Sequence, residues 1–232
     1  EKNVFDYERD AKRNPLRGTQ RESALFDNIA PEILAASVSL LDVGCGDGDF
    51  LQRLARSRPA LALAGVDMSR ERLKSAKAVL PAVELKQGQL PALPFEGQSF
   101  DTVVCSEVLE HVDDPTGALQ ELWRVARKQL IITVPYDQPL VELECPHCQG
   151  TFHLSGHINR VNPATIAQWV ASLAPRPGPV RMKGFHTIFT YNKLTLQWPR
   201  LLRRGLDRGV VAAYPYLSFL KPGYLLVSLK RA

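Results

Sequence analysis

The sequence predicts an α/β fold built on a doubly wound, mostly parallel sheet of seven strands. Three observations carry that expectation. Short apolar runs at 38–43, 61–66, 83–85, 100–105 and 130–134 alternate with stretches of helical periodicity, the spacing of linked strand–helix–strand units. The run Leu40-Leu41-Asp42-Val43 leads into Gly44-Cys45-Gly46-Asp47-Gly48-Asp49-Phe50, with glycines at every second residue and then a helical pattern. Such a strand–turn–helix switch lets a ligand approach the backbone where a Cβ would obstruct it. Finally, the glycine turn, Asp67, Gln89 and Ser106-Glu107 all fall at carboxyl ends of predicted strands, where open α/β sheets bind their ligands.

The elements follow in order. Residues 1–18 are polar and read as an irregular lead-in. From 19 to 36 the apolar residues Ala24, Leu25, Ile29, Ile33 and Leu34 recur at helical spacing, with Pro31 as a break, giving a helical cover for the cleft mouth. Residues 38–43 suit a central strand covered on both faces. Phe50, Leu51, Leu54 and Ala55 mark a helix that stops before Pro59, and 61–66 is a second strand ending at Asp67. Ser69 is the expected N-cap of the next helix. A third strand holds Val83 and Leu85, and a fourth spans Phe100 to Cys105. Asp114-Pro115 opens a helix expected to run through Arg127, and Leu130 to Val134 is a fifth strand stopped by Pro135.

Regularity then lapses. Residues 136–162 carry Cys145, Cys148, His147, His153 and His157 among turn residues and form an insertion after the fifth strand. Pro163 opens a helix, and Val180–Thr190 and Gly223–Lys230 read as closing strands around a Leu-, Trp- and Arg-rich segment. The expected organisation is one domain over 1–232: a helical cover (19–36), a ligand-binding core (38–135), a lid insertion (136–162) and a closing helix and strands (163–232).

Composition narrows the class. Of 232 residues 45% are apolar, enough for a full core. No apolar stretch approaches the roughly 18–20 residues of a membrane span, and no charged-then-apolar leader is present, so the expected compartment is the cytoplasm. The net charge is +5, with the excess near the ends, at Lys12-Arg13, Arg17, Arg21, Arg200, Arg203-Arg204, Arg208, Lys221 and Lys230-Arg231. No basic run is interleaved with aromatics as in a single-strand binding groove, so a solvated basic surface is expected rather than a nucleic-acid site. Four cysteines are too few for a disulfide scaffold, and Cys45 and Cys105 read as small buried hydrophobes.

Gly-x-Gly-x-Gly differs from the Gly-x-Gly-x-x-Gly of dinucleotide turns, its third glycine coming one position early. The spacing favours S-adenosylmethionine over a dinucleotide, and Asp67 suits either, since a carboxylate there can accept from both ribose hydroxyls. Leu40 to Phe50, Gly65-Val66-Asp67-Met68-Ser69, Gly88 to Phe95, Ser99 to Val112 and Arg124-Val125-Ala126 follow one another in a known order. Together they resemble the class I S-adenosylmethionine-dependent methyltransferases, in the subgroup that includes many small-molecule methylases. The resemblance is close over 38–135 and looser beyond. It implies a Rossmann-like methyltransferase fold with Gly44, Cys45, Gly46 and Gly48 around the methionine part of the cofactor and Asp42 near its amino group. Asp67 would hold the ribose, Met68 would pack on the adenine, and Leu90, Ser106 and Glu107 would line the cleft. Gln89 stands where the family usually has Asp, and its amide oxygen can still accept from the adenine amino group.

A sulfonium donor is already activated, so alignment and exclusion of water supply much of the acceleration. A base is needed only if the acceptor must lose a proton. Glu107, His111 and His157 are the candidates, while His111 also reads as a residue that merely packs its loop. Two metal readings compete. Glu107-Val108-Leu109-Glu110-His111 resembles the divalent-metal site of ubiquinone-pathway O-methyltransferases and small-RNA 2′-O-methyltransferases, with His157 placed like the latter's second histidine; Mg²⁺ or another divalent ion would suit it. Alternatively Cys145, Cys148, His153 and His157 spell Cys-x2-Cys-x4-His-x3-His, a set suited to structural Zn²⁺. Both readings claim His157.

The function expected is methyl transfer to a small polar acceptor, an O-methylation of a glycan precursor or secondary metabolite, with a weak lean to an anionic or lipid-linked acceptor. The alternatives are an RNA methyltransferase using the Glu-Glu-His site and a non-catalytic S-adenosylmethionine-binding regulator. The oligomeric state is not legible.

Overall fold

The protein is described by a computed structural model over residues 21–140, 142–144, 149, 151–153, 156–185 and 222–231. Its strands are β1 (Ser39–Val43), β2 (Ala62–Asp67), β3 (Glu84–Gln87), β4 (Phe100–Ser106), β5 (Ala126–Pro135), β6 (Glu142–Glu144), β7 (Thr151–His153), β8 (Val180–Phe185) and β9 (Tyr224–Lys230). Its helices are α1 (Arg21–Ile29), α2 (Asp49–Ser57), α3 (Arg70–Val79), α4 (Pro115–Val125) and α5 (Pro163–Ala171).

Seven strands form one sheet in the order β3-β2-β1-β4-β5-β9-β8. Neighbours from β3 to β5 pair parallel, and β9 runs antiparallel to both β5 and β8. The chain leaves β1 towards β2 on one side and later returns to β4 on the other. The carboxyl end of β1 is therefore the switch point at which such sheets open a crevice.

Side chains alternate across the pleat, and this divides the core. Leu41, Val43, Val103, Cys105 and Ile132 face the layer made by α4 and α5, where Leu119, Leu122, Trp123 and Ile166 are buried. Leu40, Val104 and Ile131 face the opposite layer with Leu51 and Leu54 of α2 and Ile29 of α1. Ring contact between Phe26 and Phe50 and a hydrogen bond from Arg53 to Ser23 Oγ (2.9 Å) lay α1 along α2. The helix breaks into a 3₁₀ turn at Ala30–Glu32, at Pro31 as expected.

Three helix starts are set by side-chain caps. Ser69 accepts from the Arg72 amide, Asp114 from Gly117, and Asn162 from Ala164 and Thr165. The expected helix through Arg127 instead ends at Val125, and β5 begins at Ala126 rather than Leu130. The reason lies in Asp101 on the neighbouring strand. Extending Arg127 and Lys128 brings both cations onto its carboxylate, at 2.7 and 3.0 Å. The insertion holds the antiparallel hairpin β6–β7, whose three-residue strands are too short to leave a pattern in sequence. The basic positions at 12–17 and 200–221, the cysteines at 145 and 148, and positions 186–190 of the expected closing strand lie outside the described residues. Among the described residues, no helix is long and apolar enough to cross a membrane.

Asp101 anchors the amino-terminal edge of the sheet. It is 0% exposed and also accepts from the Val38 amide at 2.9 Å. Burial raises its pKa, but the Val38, Lys128 and Arg127 hydrogen bonds together outweigh burial and bring it down to about 2. Nearby, the buried Gln129 amide donates to Glu32 O (2.8 Å) and Ser228 Oγ (2.9 Å) and accepts from the Leu34 amide (3.1 Å), tying the segment after α1 to the strand edge.

A carboxyl depressed in the fold binds its proton more readily once the chain unfolds. The stability it contributes is complete above the ordinary aspartate value of 3.8 and is lost as pH falls towards about 2. Comparing unfolding of the parent and Asp101→Asn from pH 5 to pH 2 should show the difference closing across that window. At pH 7, Asp101→Ala should cost about 3 kcal/mol in a urea titration, since it strands groups that paired with a buried carboxylate.

Candidate active site

The glycine turn opens at the switch point. Gly44 and Cys45 donate their amides to Val66 O (2.8 and 3.1 Å), which folds the turn back over β2. Gly44 has φ +80°, and a Cβ built there would lie 2.5 Å from Val108 Cγ2. The missing side chain serves two purposes: it permits a left-handed residue, and it lets the turn after β4 close onto the turn after β1. Gly46 and Gly48 also have positive φ, and Gly48 precedes α2.

Asp67 holds this turn through one carboxylate oxygen on the Gly46 amide and the other on the Ser69 amide, both at 2.9 Å. Further lone pairs stay available for a ligand. Asp42 ends up 3% exposed, paired in register with Gly65 and Val104. Burial first, and the negative charge of Asp67 second, push its pKa up to about 7. Burial and the same two carboxylates push the Cys45 thiol well above its usual range, so this cysteine is no nucleophile.

Beside the turn lies a cavity of about 200 Å³ lined by Met68, Gln87, Gly88 and Gln89. Met68 is 54% exposed, an apolar thioether next to amide edges, and Gln87 Nε2 donates to Met68 O at 3.0 Å. A flat heterocycle with polar edges fits that lining. Met68 and Gln89 stand where the sequence predicts them. Gln87 and Gly65 were not singled out: Gln87 completes the wall, and a Cβ on Gly65 would meet Cys45 Sγ and Leu85 Cδ2 at 2.8 Å each. Gly65 thus lets the glycine turn and β3 pack close to β2, a requirement invisible in a single sequence.

At the end of β4, Ser106 Oγ and Thr133 Oγ1 share a hydrogen bond of 2.7 Å, and the Glu107 amide donates to Thr133 O at 2.9 Å. Glu107 itself has φ 58°, a left-handed conformation uncommon outside glycine. The chain then makes a 3₁₀ turn at Leu109–His111. Glu110 is 1% and His157 9% exposed. His111 Nδ1 lies 3.0 Å from Gly156 O. A carbonyl oxygen can only accept, so this contact assigns the proton to Nδ1 and leaves Nε2 presenting a lone pair. Nε2 is 3.9 Å from Glu110 Oε1, and the His111 and His157 rings meet edge-on at 4.8 Å.

One ligand atom from each of Glu110, His111 and His157 falls within 4.8 Å of the others. A carboxylate with two imidazoles can accept a proton from a hydroxyl or ligate a divalent cation. Of the residues predicted for this end of the cleft, the structure gathers Glu110, His111 and His157 and leaves Glu107 outside the group. Cys145 and Cys148 of the zinc reading lie outside the described residues. His153 is described only by its place in β7, opposite Glu142.

The segment 156–161 is stitched to the same turn. Ile158 and Asn159 donate their amides to Glu110 O (2.8 and 3.0 Å), and Asp137 donates to Val161 O. The Asn159 side chain donates to Leu109 O (3.1 Å) and Val112 O (2.7 Å). Arg160 forms an ion pair with Asp137 at 2.8 Å.

A family model described as a methyltransferase domain matches residues 41–132. A demethylmenaquinone methyltransferase of Roseiflexus castenholzii is 39% identical over 92 residues, 38% of this chain and 37% of that protein. A ubiquinone biosynthesis O-methyltransferase of Paracidovorax citrulli is 34% identical over 120 residues, 49% of this chain and 46% of the relative. The chain thus spans less than half the length of these curated relatives. A solved structure from Thermotoga maritima, described as a possible histamine N-methyltransferase, superposes with a TM-score of 0.64 at 14% identity, covering 97% of both chains; it attests the fold.

The close approach at Gly44 makes a sharp test. Gly44→Ala adds the left-handed penalty of about 1–2 kcal/mol to overpacking against Val108 of about 1–3 kcal/mol. Calorimetry should show Tm lowered by roughly 4–20 °C. An unchanged Tm would mean that the two turns are not in contact.

Proposed function

We propose that this chain, which belongs to the class I S-adenosylmethionine-dependent methyltransferases, transfers a methyl group to a hydroxyl of a small-molecule acceptor. One observation carries the choice of a hydroxyl. Glu110, His111 and His157 converge at the carboxyl end of β4, on the turn whose Val108 closes against Gly44. A proton-accepting group thereby stands beside the cofactor turn, as removal of a hydroxyl proton requires.

The residues around the glycine turn suit the cofactor part by part. Asp67 can accept from ribose hydroxyls while holding Gly46 and Ser69. Met68 and Gln87 to Gln89 offer the lining for an adenine ring, and Asp42, buried near the end of β1, would face the amino group as a carboxylate. The bound cofactor supplies an activated methyl on a sulfonium. The chain's own part is to align donor and acceptor, exclude water and take up the acceptor's proton at His111 Nε2, with Glu110 stabilising the resulting positive charge.

The names of the curated relatives draw the acceptor towards a phenolic ring of the quinol type, and away from the glycan precursor that the sequence suggests. A second reading rests on the same cluster: Glu110, His111 and His157 form a donor set for a divalent cation such as Mg²⁺, which lowers the pKa of a bound hydroxyl.

Two measurements test this. Calorimetry with S-adenosylmethionine should show affinity rising between pH 6 and pH 8, because a cationic ligand favours the ionised form of a carboxyl whose pKa is about 7. Asp42→Asn should weaken binding and flatten that dependence. Transfer should then be assayed on catechols and reduced quinols, with nucleotide sugars and short RNAs as competing classes. His111→Gln should lower kcat on a phenolic acceptor by about 10²–10⁴-fold with cofactor affinity within about twofold. Loss of transfer on chelation, restored by Mg²⁺, would favour the cation reading. Cofactor binding with no transfer to any class would favour a regulator instead.

A further inference from the structure

We propose that Asn159 is the positioning residue that sets the geometry of the His111–His157 pair. This rests on the reading of that pair as the groups facing the acceptor. His157 lies on the insertion and His111 on the turn after β4, and what makes them one unit is a set of hydrogen bonds onto main-chain carbonyls of residues 109–112. Ile158 and Asn159 amides both end on Glu110 O, and the Asn159 side chain reaches Leu109 O and Val112 O on either side. Within the turn the Leu109 carbonyl accepts from the Val112 amide (3.4 Å), and the insertion adds donors to the carbonyls of Leu109, Glu110 and Val112.

Asn159 alone in this arrangement acts through its side-chain identity. Two carbonyl oxygens flank its amide, so both must receive N–H bonds, which assigns the nitrogen to that end of the group. No side chain of the same shape can replace it: aspartate puts an oxygen against two oxygens, and alanine removes the donor to Val112 O and leaves Leu109 O only the 3.4 Å bond from the Val112 amide. His157 sits between Gly156, whose oxygen faces His111 Nδ1, and Ile158, whose amide is on Glu110. Loosening Asn159 therefore moves the His157 ring and the carbonyl that fixes the His111 tautomer together. A displacement of about 1 Å at a reacting group costs on the order of 10²-fold in rate.

The test is histidine-ring ¹⁵N NMR at pH 8 on the full chain after chelator dialysis, with the His111→Gln variant identifying the His111 signals. The unsubstituted chain should show the Nδ1–H tautomer at His111. In Asn159→Asp and Asn159→Ala that signature should give way to a tautomer mixture. kcat on a catechol acceptor should fall about 10–100-fold, with S-adenosylhomocysteine affinity within about twofold. A His111 tautomer and kcat unchanged in both variants would overturn the proposal. Should neither variant fold, hydrogen exchange on the unsubstituted chain decides: Ile158 and Asn159 amides should be protected together with Val112. Exchange as fast as in the β6–β7 hairpin would refute the clamp. If His111→Gln leaves transfer intact, the acceptor reading fails, while the NMR result still judges Asn159.

Discussion

The site depends on a side chain that is not there. With no Cβ on Gly44, the turn after β1 and the turn after β4 come within van der Waals contact through Val108. Everything polar in the cleft is referenced to that contact. On one side hang the Gly46 amide, Asp67 and the cavity at Met68. On the other hang Glu107, Glu110 and His111. Parallel pairing of β1 with β2 and β4 in fixed register brings both turns to the same edge, and Gly44 decides how closely they meet. Gly65 performs the matching task underneath, where any side chain would collide with Cys45 and Leu85.

Two buried aspartates show how strongly position governs chemistry in such a sheet. Asp42, at the carboxyl edge, is surrounded by burial and a second carboxylate, and its pKa rises to about 7. Asp101, at the amino edge, is equally hidden from water but meets a backbone amide and two cations, and its pKa falls to about 2. The amino edge is electrostatically satisfied within the chain and serves stability. The carboxyl edge keeps a buried carboxyl with no cation against it among the described residues, which a cationic ligand would complete.

Most of the sheet was legible because buried parallel strands are continuous apolar runs and their ends are punctuated. Ser69, Asp114 and Asn162 mark helix starts by chemistry that acts within a few residues. What failed to show was non-local. Ala126 to Lys128 read as the end of a helix, because the pull of Asp101 comes from a strand some 26 residues away. The glycine turn, Asp67, Met68 and Gln89 could be named in advance from their places at strand ends and from family resemblance. The partnership of Glu110, His111 and His157 could be suspected from spacing but not chosen over a cysteine–histidine set sharing His157. Asn159 carries no sequence signal, since its partners are main-chain carbonyls that any residues could provide.

That last point bears on how such a protein can change over evolutionary time. Among the described residues the insertion is tied to the turn after β4 through main-chain bonds to Glu110 O, the Asn159 side chain and the contacts of His111 with Gly156 and His157. The hairpin beyond it leaves Glu142, Leu143 and Glu144 exposed. Its sequence and length can drift, and with them the set of molecules admitted to the cleft, while the two histidines keep their relation. Under the proposed function, reactivity and selectivity would be carried on separable stretches of chain, and the hairpin would be the place to graft a new acceptor preference.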